Sequence, residues 1–76
     1  MTGGVRVNIP RLRREMALRG WRPTDLAHVA GLSAGTMTAV MKGRPISPRT
    51  LRRIAGALQR HAIVPGLADL LQEEAA

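Results

Sequence analysis

In PTDLAHVAGLSAGTMTAVMK, residues 23–42, the apolar positions are spaced for two short helices that face each other across a turn. Ala27 is small where the two helices cross. Gly31 stands where a chain leaving a helix commonly needs a positive φ. Leu26, Ala30, Leu32, Met37 and Val40 are then expected to form the small core between the two helices.

Two helices held at a fixed angle by a tight glycine turn form the unit that lays its second helix into the DNA major groove. The flanking sequence marks where neighbouring helices begin. Trp21 and Leu26, Leu32 and Met37, and Ile46 and Leu51 are each five residues apart, the spacing of a hydrophobic staple across a helix start. Ser33 and Ser47 fall at N-caps, while Pro23 and Pro48 fall at first helical positions, where a missing N–H costs nothing. These marks predict a first helix over 10–19, with Ile9, Leu12 and Met16 inward and Gly20 ending it. The recognition helix is predicted over 34–42, stopped by Gly43. A fourth, over 48–60, turns Leu51, Ile54, Ala55 and Leu58 inward and leaves Arg49, Arg52, Arg53 and Arg60 off that stripe. Pro65 and Gly66 break the chain before a short fifth helix over 67–73. The expected fold is all-α, a compact bundle of five short helices. Residues 1–8 are read as a flexible arm, 9–73 as the helix-turn-helix domain and 74–76 as a short tail.

A chain of 76 residues supports one small core and leaves little room for a scaffold plus an enzyme cleft. Its formal net charge is +7, and all 12 lysines and arginines lie between Arg6 and Arg60, opposed there only by Glu15 and Asp25. The last sixteen residues carry Asp69, Glu73 and Glu74 instead. A basic body with a short acidic tail implies a polyanionic partner. With no cysteine there is no thiolate chemistry, disulfide or cysteine-based zinc site. His28 and His61 are far apart and lack partners of ligand type, so no metal is expected. Neither a nucleophile turn nor a glycine-rich phosphate loop is present, so no catalytic residue and no cofactor are expected. No apolar stretch reaches membrane-spanning length and no signal-peptide core is seen, which implies a cytoplasmic protein that is nucleoid-associated when bound.

The residues from about Ile9 to Leu58 resemble the Cro and lambda-repressor type helix-turn-helix domains, the xenobiotic-response-element family of bacterial and phage regulators. The resemblance is carried by Asp25-Leu26-Ala27, Gly31-Leu32-Ser33, Met37 with Val40, Lys42-Gly43-Arg44, and Ile46-Ser47-Pro48 leading into Thr50-Leu51 and Ile54-Ala55. It implies a DNA-binding regulator. Relatives often pair a buried arginine of the first helix with a glutamate late in the recognition helix; the matching positions here are Met16 and Met41. Replacing both partners by packed apolar chains keeps the fold. A glutamine that many relatives place on the DNA backbone is Pro23 here, so Arg22 and Thr24 stand in for it.

By the same resemblance, the base-facing positions are Ala34, Gly35, Thr38 and Ala39. None can make a bidentate base contact, so methyl, hydroxyl, water-mediated and shape readout remain. Backbone contacts are expected from Arg22, Thr24, Ser33, Thr36, Lys42, Arg44 and Arg49. Ile63, Val64, Leu67, Leu70 and Leu71 are expected to complete the core and form a homodimer interface. The predicted function is a sequence-preferring regulator of double-stranded DNA, a repressor, with no effector domain following. The alternative is an antitoxin-like or accessory module that turns the small-residue face of the recognition helix to a protein partner.

Overall fold

A computed structural model of the chain describes residues 4–71. The helices are α1 (Ile9–Arg19), α2 (Pro23–Ala30), α3 (Ala34–Met41), α4 (Pro48–Arg60) and α5 (Leu67–Leu70). The fold is all-α, as the sequence predicts.

The first two helices each end on a glycine, and the next helix begins three residues later. Gly20 has φ 72° and Gly31 φ 69°, the left-handed region where a Cβ is strained. At the end of α1, Gly20 N–H donates to Ala17 O and Trp21 N–H to Met16 O. At the end of α2, Gly31 N–H donates to His28 O and Leu32 N–H to Ala27 O. These paired bonds close the orphan carbonyls in the Schellman pattern. Trp21 and Leu32, each just after its glycine, are also the apolar residues one step before the next N-cap. One side chain therefore seals the end of one helix and the start of another, which is how three residues set the angle between them.

Ser33 Oγ accepts from Thr36 N–H at 3.1 Å and Ser47 Oγ from Thr50 N–H at 3.1 Å, so both predicted serine caps form. Asn8 caps α1 in the same way, accepting from Arg11 N–H at 3.1 Å. The sequence reading placed no cap there.

Leu12, Met16, Leu26, Ala27, Ala30, Met37, Val40, Ile46, Ile54 and Ala57 form the buried core. Leu32, Leu51, Leu58, Met41 and Trp21 pack half-buried against it. Met16, the position at which the resemblance implies that relatives often carry an arginine, is 3% exposed, a packed thioether with no charge to bury. Two expectations about the core are corrected. Ala55 is exposed and Ala57 is buried instead, because α4 packs against α2, which turns its Ile54–Ala57 edge inward. Ile9 is half-buried and lies outside the core cluster.

Of the segment read as a flexible arm, residues 1–3 lie outside the described residues, and the part from residue 4 to residue 8 is joined to the bundle through the main chain of Val5. Val5 N–H donates to Ile46 O at 2.7 Å and Ile46 N–H donates to Val5 O at 2.8 Å, an antiparallel bridge. Val5 and Val7 pack against the core. A long-range pairing of this kind leaves no local signature for a sequence reading to find. The helix predicted over 67–73 is seen over Leu67–Leu70 only, since Leu71 after it is extended at φ −76° and ψ 132°; residues 72–73 of that span and the 74–76 tail lie outside the described residues.

Several arginines are structural. Arg19 has a side chain only 9% exposed. Its Nη1 donates to Glu15 O at 2.8 Å and to Glu15 Oε1 at 2.9 Å, its Nη2 to Leu58 O at 3.0 Å and its Nε to His61 O at 2.7 Å. The guanidinium also lies 5.8 Å from the centre of the Trp21 ring, with His61 edge-on to that ring at 5.4 Å. One fork thus caps the end of α4 from α1. From α4, Arg53 Nη1 donates to Gly31 O at 3.0 Å and Arg60 Nη2 to Val29 O at 3.3 Å, holding the end of α2.

Candidate nucleic-acid interface

The helix-turn-helix positions α3 through its N-terminal link to α2. Its inner side is anchored by Met37 and Val40, at 4% and 0% exposure. Its outer side carries Ala34, Gly35 and Thr38, all exposed, and the half-buried Ala39. No other element of the described chain covers Ala34, Gly35 or Thr38, and α3 itself carries no charged side chain.

Hydroxyl chemistry on this helix is more restricted than composition suggests. Thr38 Oγ1 donates to Ala34 O at 2.9 Å, so its proton is committed to its own helix. What it presents outward is a methyl group and acceptor lone pairs, suited to a thymine methyl or a base amino group. Ser33 Oγ donates to Thr36 Oγ1 at 2.9 Å. The Thr36 proton is thereby left to seek an outside acceptor.

Between α2 and α3 the outer surface forms a groove of about 590 Å³. Pro23, Ala27, Leu32, Ala34, Met37 and Met41 make it largely apolar, and Thr24, His28, Thr38 and Lys42 add its polar groups. Pro23 and Met41, two of the positions at which the sequence departs from the pattern the resemblance implies, both bring apolar surface to this groove.

Cations flank the helix. Arg22 is exposed at the start of α2, Lys42 and Arg44 leave the end of α3, and Arg49 lies in the first turn of α4. The exit of Arg44 is fixed, because its N–H donates to Ala39 O at 3.1 Å while Gly43 N–H donates to Val40 O at 2.9 Å. Thr24 and Ser33 are exposed and Thr36 is half-buried. The predicted backbone residues thus fall in three groups, Arg22 and Thr24 at the start of α2, Ser33, Thr36 and Arg49 around the starts of α3 and α4, and Lys42 and Arg44 at the far end of α3.

Asp25 works against an anion at the start of α2. Its Oδ2 accepts from Arg22 N–H at 2.8 Å and from Arg22 Nε at 3.4 Å. Arg22 has no acceptor to return the bond, so only half of a capping box forms. The backbone N–H bond from Arg22 holds the Asp25 carboxyl below its ordinary value, aided by the side-chain bond and charge of the same arginine. A lowered carboxylate pKa stabilises the fold above the unfolded value, about 3.9, and the contribution is lost as pH falls through the folded value. We therefore expect the Arg22 amide resonance to be constant through neutral pH and to move below about pH 4, with an Asp25 carboxyl midpoint under that figure. A midpoint at or above it in an NMR titration would refute the assignment.

The segment expected to supply a dimer interface docks on α1. Val64 N–H donates to Leu18 O at 2.9 Å, and Leu67 lies against Gly20, its Cδ1 3.6 Å from where a Cβ there would stand. Leu67 and Leu71 are half-buried. Ile63, Val64 and Leu70 remain 47%, 45% and 80% exposed. Leu18, which the sequence reading passed over, is buried beside them at 8%.

Among the described residues no group of three or more histidines and carboxylates could hold a metal, and no helix is long and apolar enough to cross a membrane. Arg53 is the residue near this surface that the sequence reading passed over. Arg49, Arg53 and Arg60 fall at i, i+4 and i+11, one face of α4, and that spacing was the available signal.

A two-helix unit with a glycine turn, serine-capped second helix and uncovered outer face, flanked by cations, defines a DNA-binding helix-turn-helix protein. Residues 11–60, well over half of the chain, match the Cro/C1-type HTH DNA-binding domain, and the chain belongs to that family. No curated protein and no solved structure matches it.

Proposed function

We propose that this protein is a transcriptional regulator of bacterial, phage or mobile-element origin that binds double-stranded DNA as a homodimer and represses by occluding a promoter. The observation that carries the reading is the outer side of α3, exposed, free of charge and flanked by Arg22, Lys42, Arg44 and Arg49. Ala34, Gly35, Thr38 and Ala39 face the bases, and Arg22, Thr24, Ser33, Thr36, Lys42, Arg44 and Arg49 hold the phosphates. Affinity comes chiefly from the backbone, and preference from thymine methyls, the Thr38 acceptor and DNA shape.

Ile63, Val64 and Leu70 supply the twofold contact, since a single small domain covers little DNA and two recognition helices must reach successive major grooves about 34 Å apart. Selection of bound duplexes from a random pool is expected to return two half-sites at one-turn spacing. Leu70→Glu, placing a charge at a position already 80% exposed, is expected to halve the sedimenting mass at micromolar concentration without unfolding the domain. An unchanged mass would remove this surface from the dimer.

The apolar groove between α2 and α3 favours a second reading, an antitoxin-like or accessory module whose partner protein inserts a side chain there. Recovery of no DNA motif and no salt-sensitive duplex binding would select it.

A further inference from the structure

A small polar cleft of about 210 Å³ lies where α3 and α4 begin, walled by Ser33 and Thr36 on one side and Arg49, Thr50 and Arg53 on the other. Two guanidiniums and three hydroxyls line it, with no carboxylate among its walls. That is the chemistry of a phosphate seat. Arg53 is fixed at one end, because its Nη1 donates to Gly31 O at 3.0 Å. Only part of its fork is used there, and a guanidinium has five N–H donors in a rigid plane. The remaining donors are held beside Arg49, four residues earlier on the same face of α4. Across the cleft, Ser33 Oγ already donates to Thr36 Oγ1, so the Thr36 proton is available to the same anion.

We propose that this cleft seats one phosphate of the duplex backbone between Arg49 and Arg53, and that Arg53 is a positioning residue tying that phosphate to the carbonyl of the helix-turn-helix turn. A bound phosphate then braces the angle between α2 and α3 that the glycine turn alone would leave softer. The inference rests on the DNA-binding reading. The seat is testable separately, because inorganic phosphate offers the same oxyanion without the duplex.

The test compares the wild type with Arg53→Gln, Arg49→Gln and Arg52→Gln, the last an exposed arginine outside the cleft, all checked for folding by thermal melting. Arg49→Gln leaves the Gly31 bond untouched, so the proposal stays testable even if Arg53→Gln unfolds. Anisotropy with a labelled duplex across a salt series is expected to give slopes less steep by about 1.8 for each cleft variant, roughly 0.9 for the phosphate lost in each protomer of the bound dimer, and a smaller change for Arg52→Gln. Arg53→Lys keeps the charge but cannot span carbonyl and phosphate with one fork, so it restores the slope and not the affinity. Titrating inorganic phosphate into the free protein is expected to move the Ser33 and Thr36 amide resonances in the wild type and not in Arg53→Gln. Equal slope changes in all three glutamine variants, or a phosphate titration that leaves those amides still, overturns the seat. A phosphate response without duplex binding by the wild type supports the seat and overturns the DNA-binding reading instead.

Discussion

Leu26→Ala is expected to unfold a large fraction of the protein at 25 °C. Leu26 is fully buried, at 0% exposure, on the face of α2 that packs against the core. Removing a buried leucine side chain loses its transfer free energy and leaves a cavity that the surroundings only partly fill, about 2–5 kcal/mol in all. A single core in a chain of this size supplies roughly 3–5 kcal/mol, so the loss is comparable to the whole stability. Neighbours cannot close the gap easily, because Ala27 and Ala30 on the same helix are small and Val40, also at 0% exposure, is β-branched and stiff. The urea midpoint followed by far-ultraviolet circular dichroism should fall close to zero denaturant. Duplex affinity should drop with the folded fraction, since α3 is held at its inner side by the same core. A midpoint displaced by less than about 1 kcal/mol equivalent would mean that the core closes around the alanine, and that the α2–α3 angle does not depend on this side chain.

Raising salt from 50 to 200 mM is expected to weaken duplex binding by about 250- to 1000-fold, the result of a slope of roughly −4 to −5 in log affinity against log salt. That slope corresponds to four to six phosphates neutralised per bound dimer, at roughly 0.9 per phosphate. The reason lies in the division of labour on the surface. The positions proposed to face the bases carry no side chain capable of a bidentate base contact, each of which is worth about 1–3 kcal/mol, and Thr38 has spent its proton on Ala34 O. The cations are elsewhere, at the ends of α2, α3 and α4. Arg22 is already shared with Asp25 at 3.4 Å, an exposed pair that a phosphate can displace cheaply. Lys42, Arg44 and Arg49 are exposed and release counterions on binding. Anisotropy over a salt series measures the slope directly; a value near zero would refute a backbone-held complex.

Much of the architecture is legible without coordinates because its determinants are local. The staple pairs Trp21 with Leu26, Leu32 with Met37 and Ile46 with Leu51 place three helix starts, and Ser33 and Ser47 cap where the spacing puts them. Gly31 turns with positive φ where the sequence demands it. The exposure of Ala34, Gly35 and Thr38 is legible for the same reason, since a helix of known start exposes a known face. What escaped was set by long-range partners. Arginine at positions 19, 53 and 60 looks like any solvated arginine, yet its carbonyl acceptors are 39 and 42 residues away for Arg19, 22 for Arg53 and 31 for Arg60. The bridge from Val5 to Ile46 and the choice of Ala57 over Ala55 as the buried residue of α4 depend on which neighbours arrive.

The chain alone determined the five helices, the glycine turn and the charge-free recognition helix, because caps, staples and periodicity act within a few residues and survive any tertiary context. Tertiary structure decided which arginines are spent on carbonyls and which remain for an anion, because a guanidinium is directed by the acceptors that packing brings within 3 Å or so of it. That distinction separates Arg19, sealed between α1 and α4, from Arg53, held at one nitrogen and open at the rest.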